Sequence, residues 1–283
     1  MKTIESDFDA STKTTFLGKK IDLLVMSVSI SGVNSFCCDE VISEKEFCCK
    51  VILGCKDAGT IGWRGDTYTY SLDNTYGLDA IEEADGWGIK ICKPRSQETI
   101  IELFKRAEKI GAIAVGVDLD GCGSVIMAKH HAPVFKKSID ELKELVKSTK
   151  LPFIAKGIMC VEDAKEAFEA GVKAIVVSNH GGRVVDHSPS TAEVLHKILE
   201  VVKDKGTVLM DGGIRTGYDV LKVLALGADG VLMGRDVIRA TVGASCTGVT
   251  RLMNYVQTTL KKAMKITGCQ SINDISSVIL SES

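Results

Sequence analysis

The sequence predicts an α/β fold, a (β/α)₈ barrel of the TIM type with a C-terminal helical extension. Residues 1–283 are expected to form one domain. Three observations carry this. Eight short apolar segments recur along the chain, and most are followed by a polar turn and an amphipathic helix. These segments are apolar on both faces, which requires a parallel sheet covered by helices. Glycine-rich turns follow the late strands, whereas an open doubly wound sheet carries its glycine loop after the first strand. Nothing of that kind follows Ile30. The length of 283 residues suits one such barrel, which typically uses about 250.

The expected strands are Ile21–Ile30, Gly59–Trp63, Gly88–Lys93, Ala112–Asp118, Phe153–Gly157, Ala174–Ser178, Thr207–Met210 and Gly230–Met233. The expected helices between them are Ser43–Lys56, Asn74–Ala84, Ser96–Ile110, Ser138–Ser148, Val161–Ala170, Thr191–Val202 and Tyr218–Leu226. The helix from Val161 illustrates the pattern: Ala164, Ala167, Phe168 and Val172 line one face, and Glu162, Lys165, Glu166 and Glu169 the other. Gly171, Gly206 and Gly227 close the three units after Lys150, since glycine past a helix readily adopts the left-handed conformation that ends it. From about Gly243 the tail adds two helical segments. There Leu252, Val256, Leu260, Met264 and Ile266 form a stripe and Gly268 is the stop.

Net charge is −2 and charged residues make up 25% of the chain, with lysine and arginine spread rather than clustered. This balance argues against nucleic acid or an anionic membrane surface as partner. No apolar run approaches a membrane span, and Met1–Lys13 lacks the apolar core of a secretory signal. The ten cysteines include the adjacent pairs Cys37–Cys38 and Cys48–Cys49 but no C-x-x-C. They read as reduced packing residues of a cytoplasmic protein. No metal site is expected, because His130–His131 has no ligand-spaced carboxylate or thiol.

Chemistry concentrates where strands end, because the loops at that face build the active site of such barrels. The sixth strand runs into Ser178-Asn-His-Gly-Gly-Arg183. This sets an imidazole, His180, and a guanidinium, Arg183, at one mouth, as a site for a small 2-hydroxy acid needs. A lone strand-end histidine is more often a satisfied structural residue. Here two further glycine-rich strand ends accompany it. Asp211-Gly212-Gly213-Ile214-Arg215-Thr216-Gly217 follows the seventh strand, and Gly234-Arg235 the eighth. Those two loops are the common phosphate site of this architecture. Lys156, inside an apolar strand end, needs an anionic partner and suits a place beside an electron-accepting ring. Asp118, ending the fourth strand, can orient His180 and stabilise its protonated form. An N-cap or turn aspartate is the plainer alternative there.

The segment Lys150–Arg235 closely resembles the FMN-dependent α-hydroxy-acid oxidase and dehydrogenase family, which includes glycolate and lactate oxidases. PFIAKGI, VVSNHGGRVVDHSPST and MDGGIRTGYDVLKVLALGADGVLMGR carry the resemblance, with TGCQSINDI near the end. TTFLGKKI, AGTIGWRGD, RAEKIGAIAVGVDLD and STKLPF extend it, less strongly, over nearly the whole chain. The resemblance implies FMN as cofactor and oxidation of a small (S)-2-hydroxy acid to the 2-oxo acid. It implies His180 as the base, paired with Asp118, and Arg183 as the fork for the substrate carboxylate. Lys156 and Ser178 would lie beside the flavin. Asp211, Gly212, Gly213, Arg215, Gly234 and Arg235 would surround its ribityl chain and phosphate. A homo-oligomer, a tetramer in the family pattern, is also implied; the electron acceptor is left open.

Departures from the family pattern accompany the match. The segment that usually precedes TTFLG, with its substrate-side tyrosine, is expected to be missing. Lys90 and Cys92 stand where glutamine and tyrosine are usual, Gly116 replaces a threonine, and Gly121–Gly123 offers no second arginine. The first strand reads VMSVSISG in place of an Ala-Pro step. Shorter bacterial lactate-oxidase-like relatives are the nearer resemblance. Two competing functions stay open: a barrel that holds FMN with a degenerate substrate site, and another FMN-barrel chemistry such as isopentenyl diphosphate isomerisation.

Overall fold

A computed structural model describes residues 1, 2, 4 and 6–280. The chain enters through an antiparallel hairpin, β1 (Thr14–Phe16) and β2 (Lys19–Ile21), that the sequence reading did not anticipate. Its turn residues Leu17 and Gly18 both have positive φ, 45° and 79°. That twist suits a two-residue hairpin. The hairpin takes Ile21 out of the predicted first strand, which begins only at Val25.

Eight parallel strands follow: β3 (Val25–Ser27), β4 (Trp63–Arg64), β5 (Ile89–Cys92), β6 (Ala114–Asp118), β7 (Phe153–Ile158), β8 (Ala174–Val177), β9 (Thr207–Met210) and β10 (Gly230–Met233). Each pairs with the next from β4 onward, and β10 returns to β3. The last seam, between β3 and β4, closes differently. One parallel bridge joins Ile30 to Arg64. Below it, the Trp63 amide donates to Ser27 Oγ at 2.9 Å, and Thr60 Oγ1 donates to the carbonyl of Val25 at 2.7 Å. Side-chain hydroxyls thus replace ladder bonds, so β4 is two residues long where Gly59–Trp63 was expected. All residues of β5, β6, β8 and β10 are buried, as strands covered on both faces must be.

The outer layer comprises α1 (Glu44–Asp57), α2 (Tyr76–Glu83), α3 (Gln97–Lys109), the short α4 (Val125–Lys129), α5 (Ile139–Lys147), α6 (Val161–Glu169), α7 (Thr191–Val202), α8 (Gly217–Ala225) and α9 (Arg235–Thr267). Ser43, Ser138 and Ser190 form reciprocal capping boxes with Glu46, Glu141 and Glu193, which fixes three helix starts to the residue. The tail differs from expectation. Helix starts at once from β10, at Arg235, and bends at Ala244–Ser245, where Ser245 has φ 58°. Its first arm is the eighth barrel helix; its second is the extension. Val256, Leu260 and Met264 of the expected stripe are fully buried, while Ile266 is 39% exposed. Among the described residues, no helix is long and apolar enough to cross a membrane.

The extension docks through glycine. A Cβ on Gly217, at the start of α8, would collide with the backbone of Leu260, and the Gly217 amide donates to Thr259 Oγ1 at 2.9 Å. Gly217→Ala should therefore prise α9 from α8 and lower stability by about 1–3 kcal/mol, the usual cost of overpacking. Urea denaturation checks this, an unchanged midpoint being the contrary result.

Candidate active site

The strand C-terminal ends open on a cavity of about 450 Å³. It gathers Lys156, His180, Arg183, Asp211, Gly212, Gly213, Arg215, Gly234 and Arg235, all expected from the sequence, and also Lys93, Asp66 and Met127. Asp118 and Ser178 are buried side chains that hold Lys156 from behind.

Lys156 organises the floor. Its buried Nζ donates to Asp118 Oδ1 at 3.1 Å and Ser178 Oγ at 3.0 Å, and lies 3.6 Å from Asp211 Oδ2. Ser178 Oγ donates onward to Asp211 Oδ2 at 2.8 Å. Lys93 Nζ, from the loop after β5, donates to the other Asp118 oxygen at 2.6 Å. Burial by itself would raise the Asp118 carboxyl, but Lys156 first and Lys93 next hold it well below the usual carboxylate range. Burial likewise pulls Lys156 down, and Asp118 then Asp211 more than reverse it, so its ammonium stays charged. Asp211 goes the other way: burial raises it, and Lys156 and Ser178 offset this only in part. Its Oδ1 is buried without a hydrogen-bond partner.

His180 sits in a single turn, His180–Gly182, with φ 57°, a left-handed conformation that few side-chain-bearing residues adopt. Such strain commonly marks functional positions. Asn179 Oδ1 caps this turn by accepting from the Gly181 amide at 3.1 Å. Nδ1 of His180 is 3.2 and 3.3 Å from the two oxygens of Asp120 and 3.5 Å from Asp118 Oδ2. The carboxylates therefore engage Nδ1 and leave Nε2 as the free nitrogen. Arg183 is exposed, and its Nε donates to the carbonyl of His180 at 3.2 Å.

Asp120 and Lys93 escaped the sequence reading. The D-x-D spacing after β6 was the available signal for Asp120. Lys93 needed the register of β5 against β6 to bring it to Asp118. Asp118, Asp120 and His180 also form a group with metal-ligand geometry. Both Asp118 oxygens already carry lysine ammonium groups, so two positive charges stand where a cation would bind. Lys90 and Cys92 are buried outside the cavity lining. Lys90 Nζ donates to the carbonyl of Gly65 at 2.9 Å and lies 3.6 Å from Asp66, while burial pushes the Cys92 thiol up to about 12. Gly116 is required by packing, because a Cβ there would strike the carbonyl oxygen of Ile154 on β7.

The phosphate loops meet at one rim. Gly212 and Gly213 have φ 102° and 76°. Arg215 and Arg235 are exposed cations on the cavity wall. Gly234, the N-cap of α9, makes no side-chain cap and its carbonyl accepts from the Val237 amide at 2.9 Å, which leaves the Arg235 and Asp236 amides to bind an anion.

The fold and site define a (β/α)₈ barrel that brings a buried lysine, a strand-end histidine and an arginine-bearing rim to one cavity. The family model described as FMN-dependent dehydrogenase matches residues 124–282, and the chain belongs to that family. It is 45% identical over 141 residues to the 2-Hydroxyacid oxidase of Dictyostelium discoideum, a stretch covering 50% of this chain and 36% of that protein. It is 30% identical to 2-Hydroxyacid oxidase 1 of Mus musculus, over 96% of this chain and 82% of the relative. Among solved structures, a mandelate oxidase variant with 2-hydroxy-phenylacetamide superposes with a TM-score of 0.82 at 28% identity, covering 96% of this chain and 82% of that one.

Asp118→Asn tests the floor. It removes the carboxylate between two lysines, a change that costs about 3–5 kcal/mol when a buried pair loses one member. A carboxyl depressed by folding contributes stability that is complete above its unfolded value of about 3.9 and is lost as pH falls below it. The variant should therefore be less stable at neutral pH and lose less on acidification. Denaturation midpoints between pH 7 and pH 3 check both, and parallel wild-type and variant curves would contradict the second.

Proposed function

We propose that the chain holds FMN and oxidises a small (S)-2-hydroxy acid to the 2-oxo acid. The observation that carries this is His180, with Nδ1 held by carboxylates and Nε2 free at a cavity whose floor is the Lys156 ammonium. The site fits FMN on its own features: the partnerless buried Oδ1 of Asp211 suits a ribityl hydroxyl, and the uncapped start of α9 suits a phosphate. Gly212, Gly213, Arg215, Gly234 and Arg235 would hold that phosphate end, with Lys156 and Ser178 at the ring. Bound FMN supplies the two-electron acceptor.

The chain's own residues do the rest. His180 Nε2 takes the substrate proton, and the carboxylates on the Nδ1 side stabilise the imidazolium. Arg183 swings from the carbonyl of His180 to grip the substrate carboxylate with its planar fork. Lys156 favours negative charge developing on the ring beside it. The names 2-hydroxyacid oxidase, lactate oxidase and lactate dehydrogenase among the relatives support this substrate class. All ten cysteines are free, in keeping with a cytoplasmic setting. The homo-oligomer implied by resemblance belongs to the same reading; light scattering across concentrations tests it, and a monomer throughout counts against it.

Purified protein should be yellow, and Arg235→Ala should release FMN more readily without unfolding, as flavin fluorescence after gel filtration reports. Protein that neither retains nor takes up FMN overturns the cofactor assignment.

His180→Ala should keep FMN yet lose anaerobic flavin bleaching by a panel of 2-hydroxy acids by about 10²–10⁴-fold, the usual contribution of a general base. Arg183→Lys should chiefly raise KM, since an ammonium cannot reproduce a bidentate grip. Wild-type protein that binds FMN but is bleached by none of the panel would favour a barrel with a degenerate substrate site.

A further inference from the structure

The charges around His180 balance in a way that singles out one carboxylate. Asp118 on β6 gives Oδ1 to Lys156 and Oδ2 to Lys93, at 3.1 and 2.6 Å, and that Oδ2 stands 3.5 Å from His180 Nδ1, farther than either oxygen of Asp120. Lys156, on β7, also faces Asp211, which follows β9, at 3.6 Å. Two lysines thus answer two aspartates. Arg183, on the histidine's own turn, is directed to the backbone carbonyl of His180. Asp120 is left over: among the described residues its carboxylate faces no lysine or arginine within ion-pair distance, and its one such contact is His180.

The backbone makes room for this contact. Gly157 lies at φ 92°, at the irregularity in β7 between Lys156 and Ile158. A Cβ there would stand 2.5 Å from Asp120 Oδ1 and 2.6 Å from its Cγ. Gly121, next to Asp120, does the same for Lys93, whose Cδ would lie 3.0 Å from a Cβ at that position. Asp120 and His180 are both largely enclosed, with side chains 15% and 16% exposed, so solvent screens their interaction weakly.

We propose that Asp120, rather than Asp118, is the positioning carboxylate of His180, fixing its Nδ1–H tautomer and holding the imidazolium that forms when Nε2 takes the substrate proton. Asp118 belongs to the lysine pair, and its task is to keep Lys93 and Lys156 charged and in place. The chemical role rests on the proposed hydroxy-acid oxidation; the pairing itself does not. The O–H proton of the substrate ends on Nε2, its charge is answered by Asp120, and no proton passes to the carboxylate.

Two readouts separate the pairing from the reaction. In the FMN-loaded protein without substrate, ¹⁵N-histidine NMR follows the ring through a pH titration, with the His180 signal assigned by its loss in His180→Gln. Asp120→Asn, nearly isosteric, should move the His180 transition to lower pH, because it removes the adjacent negative charge that favours the imidazolium. Asp120→Glu should recover most of that displacement. With a substrate that bleaches wild type, the acid limb of kcat/KM in Asp120→Asn should move in the same direction. Its plateau should fall about tenfold or more while FMN retention is unchanged. A His180 titration in Asp120→Asn that superposes on wild type overturns the proposal, whatever the substrate panel shows. A wild-type protein bleached by no hydroxy acid overturns the proposed reaction and leaves the NMR result to decide the pairing.

Discussion

One buried ammonium holds the catalytic face together. Lys156 lies in the C-terminal half of β7, whose neighbours on both sides carry its anionic and polar partners, so its contacts tie β6, β7, β8 and β9 at their C-terminal ends. Lys93 adds the end of β5 through the same Asp118. A charge in this position is expensive to desolvate unless every partner is present and aligned. Removal of any member therefore reaches all the others, and groups from five strands behave as a unit. That rigidity suits the proposed reaction, in which a proton acceptor, a carboxylate fork and a flavin ring would have to be held in register.

The half of the barrel that departs most from the family pattern has a second charge network. Asp66 accepts from the Lys93 amide at 2.7 Å and pairs with Arg95 at 3.2 Å, with Lys90 at 3.6 Å. Arg64 is fully buried, 5.0 Å above the Phe47 ring and 4.0 Å from Glu44, with Nε and Nη1 lacking hydrogen-bond partners. Lys90 accordingly stabilises its own end of the sheet and does not line the cavity. Because Asp66 also holds the Lys93 backbone, this network sets the position from which Lys93 reaches Asp118. The two networks meet at one residue.

What the sequence by itself determined was whatever depends on local pattern. Two-sided apolar runs specified β9 and β10 to the residue, and amphipathic periodicity placed the starts of α1, α5 and α7 within one residue. The glycine, histidine and arginine signatures at strand ends marked His180, Arg183, Arg215 and Arg235, all of which line one cavity. Tertiary structure alone decided how the barrel closes, since the β3–β4 seam relies on Ser27 and Thr60 hydroxyls rather than a ladder. It also decided that the last barrel helix and the extension form one bent element: Gly243 marked the start of the tail in the sequence, but not that helix already runs up to it from Arg235 and continues past the bend at Ala244–Ser245. Finally, it decided which carboxylate serves which base. Asp118 and Asp120 are two residues apart and chemically alike, and Coulomb energy depends on distance in space. Only the packing of Lys93, Lys156 and Gly157 around them gives the first to the lysines and leaves the second to His180.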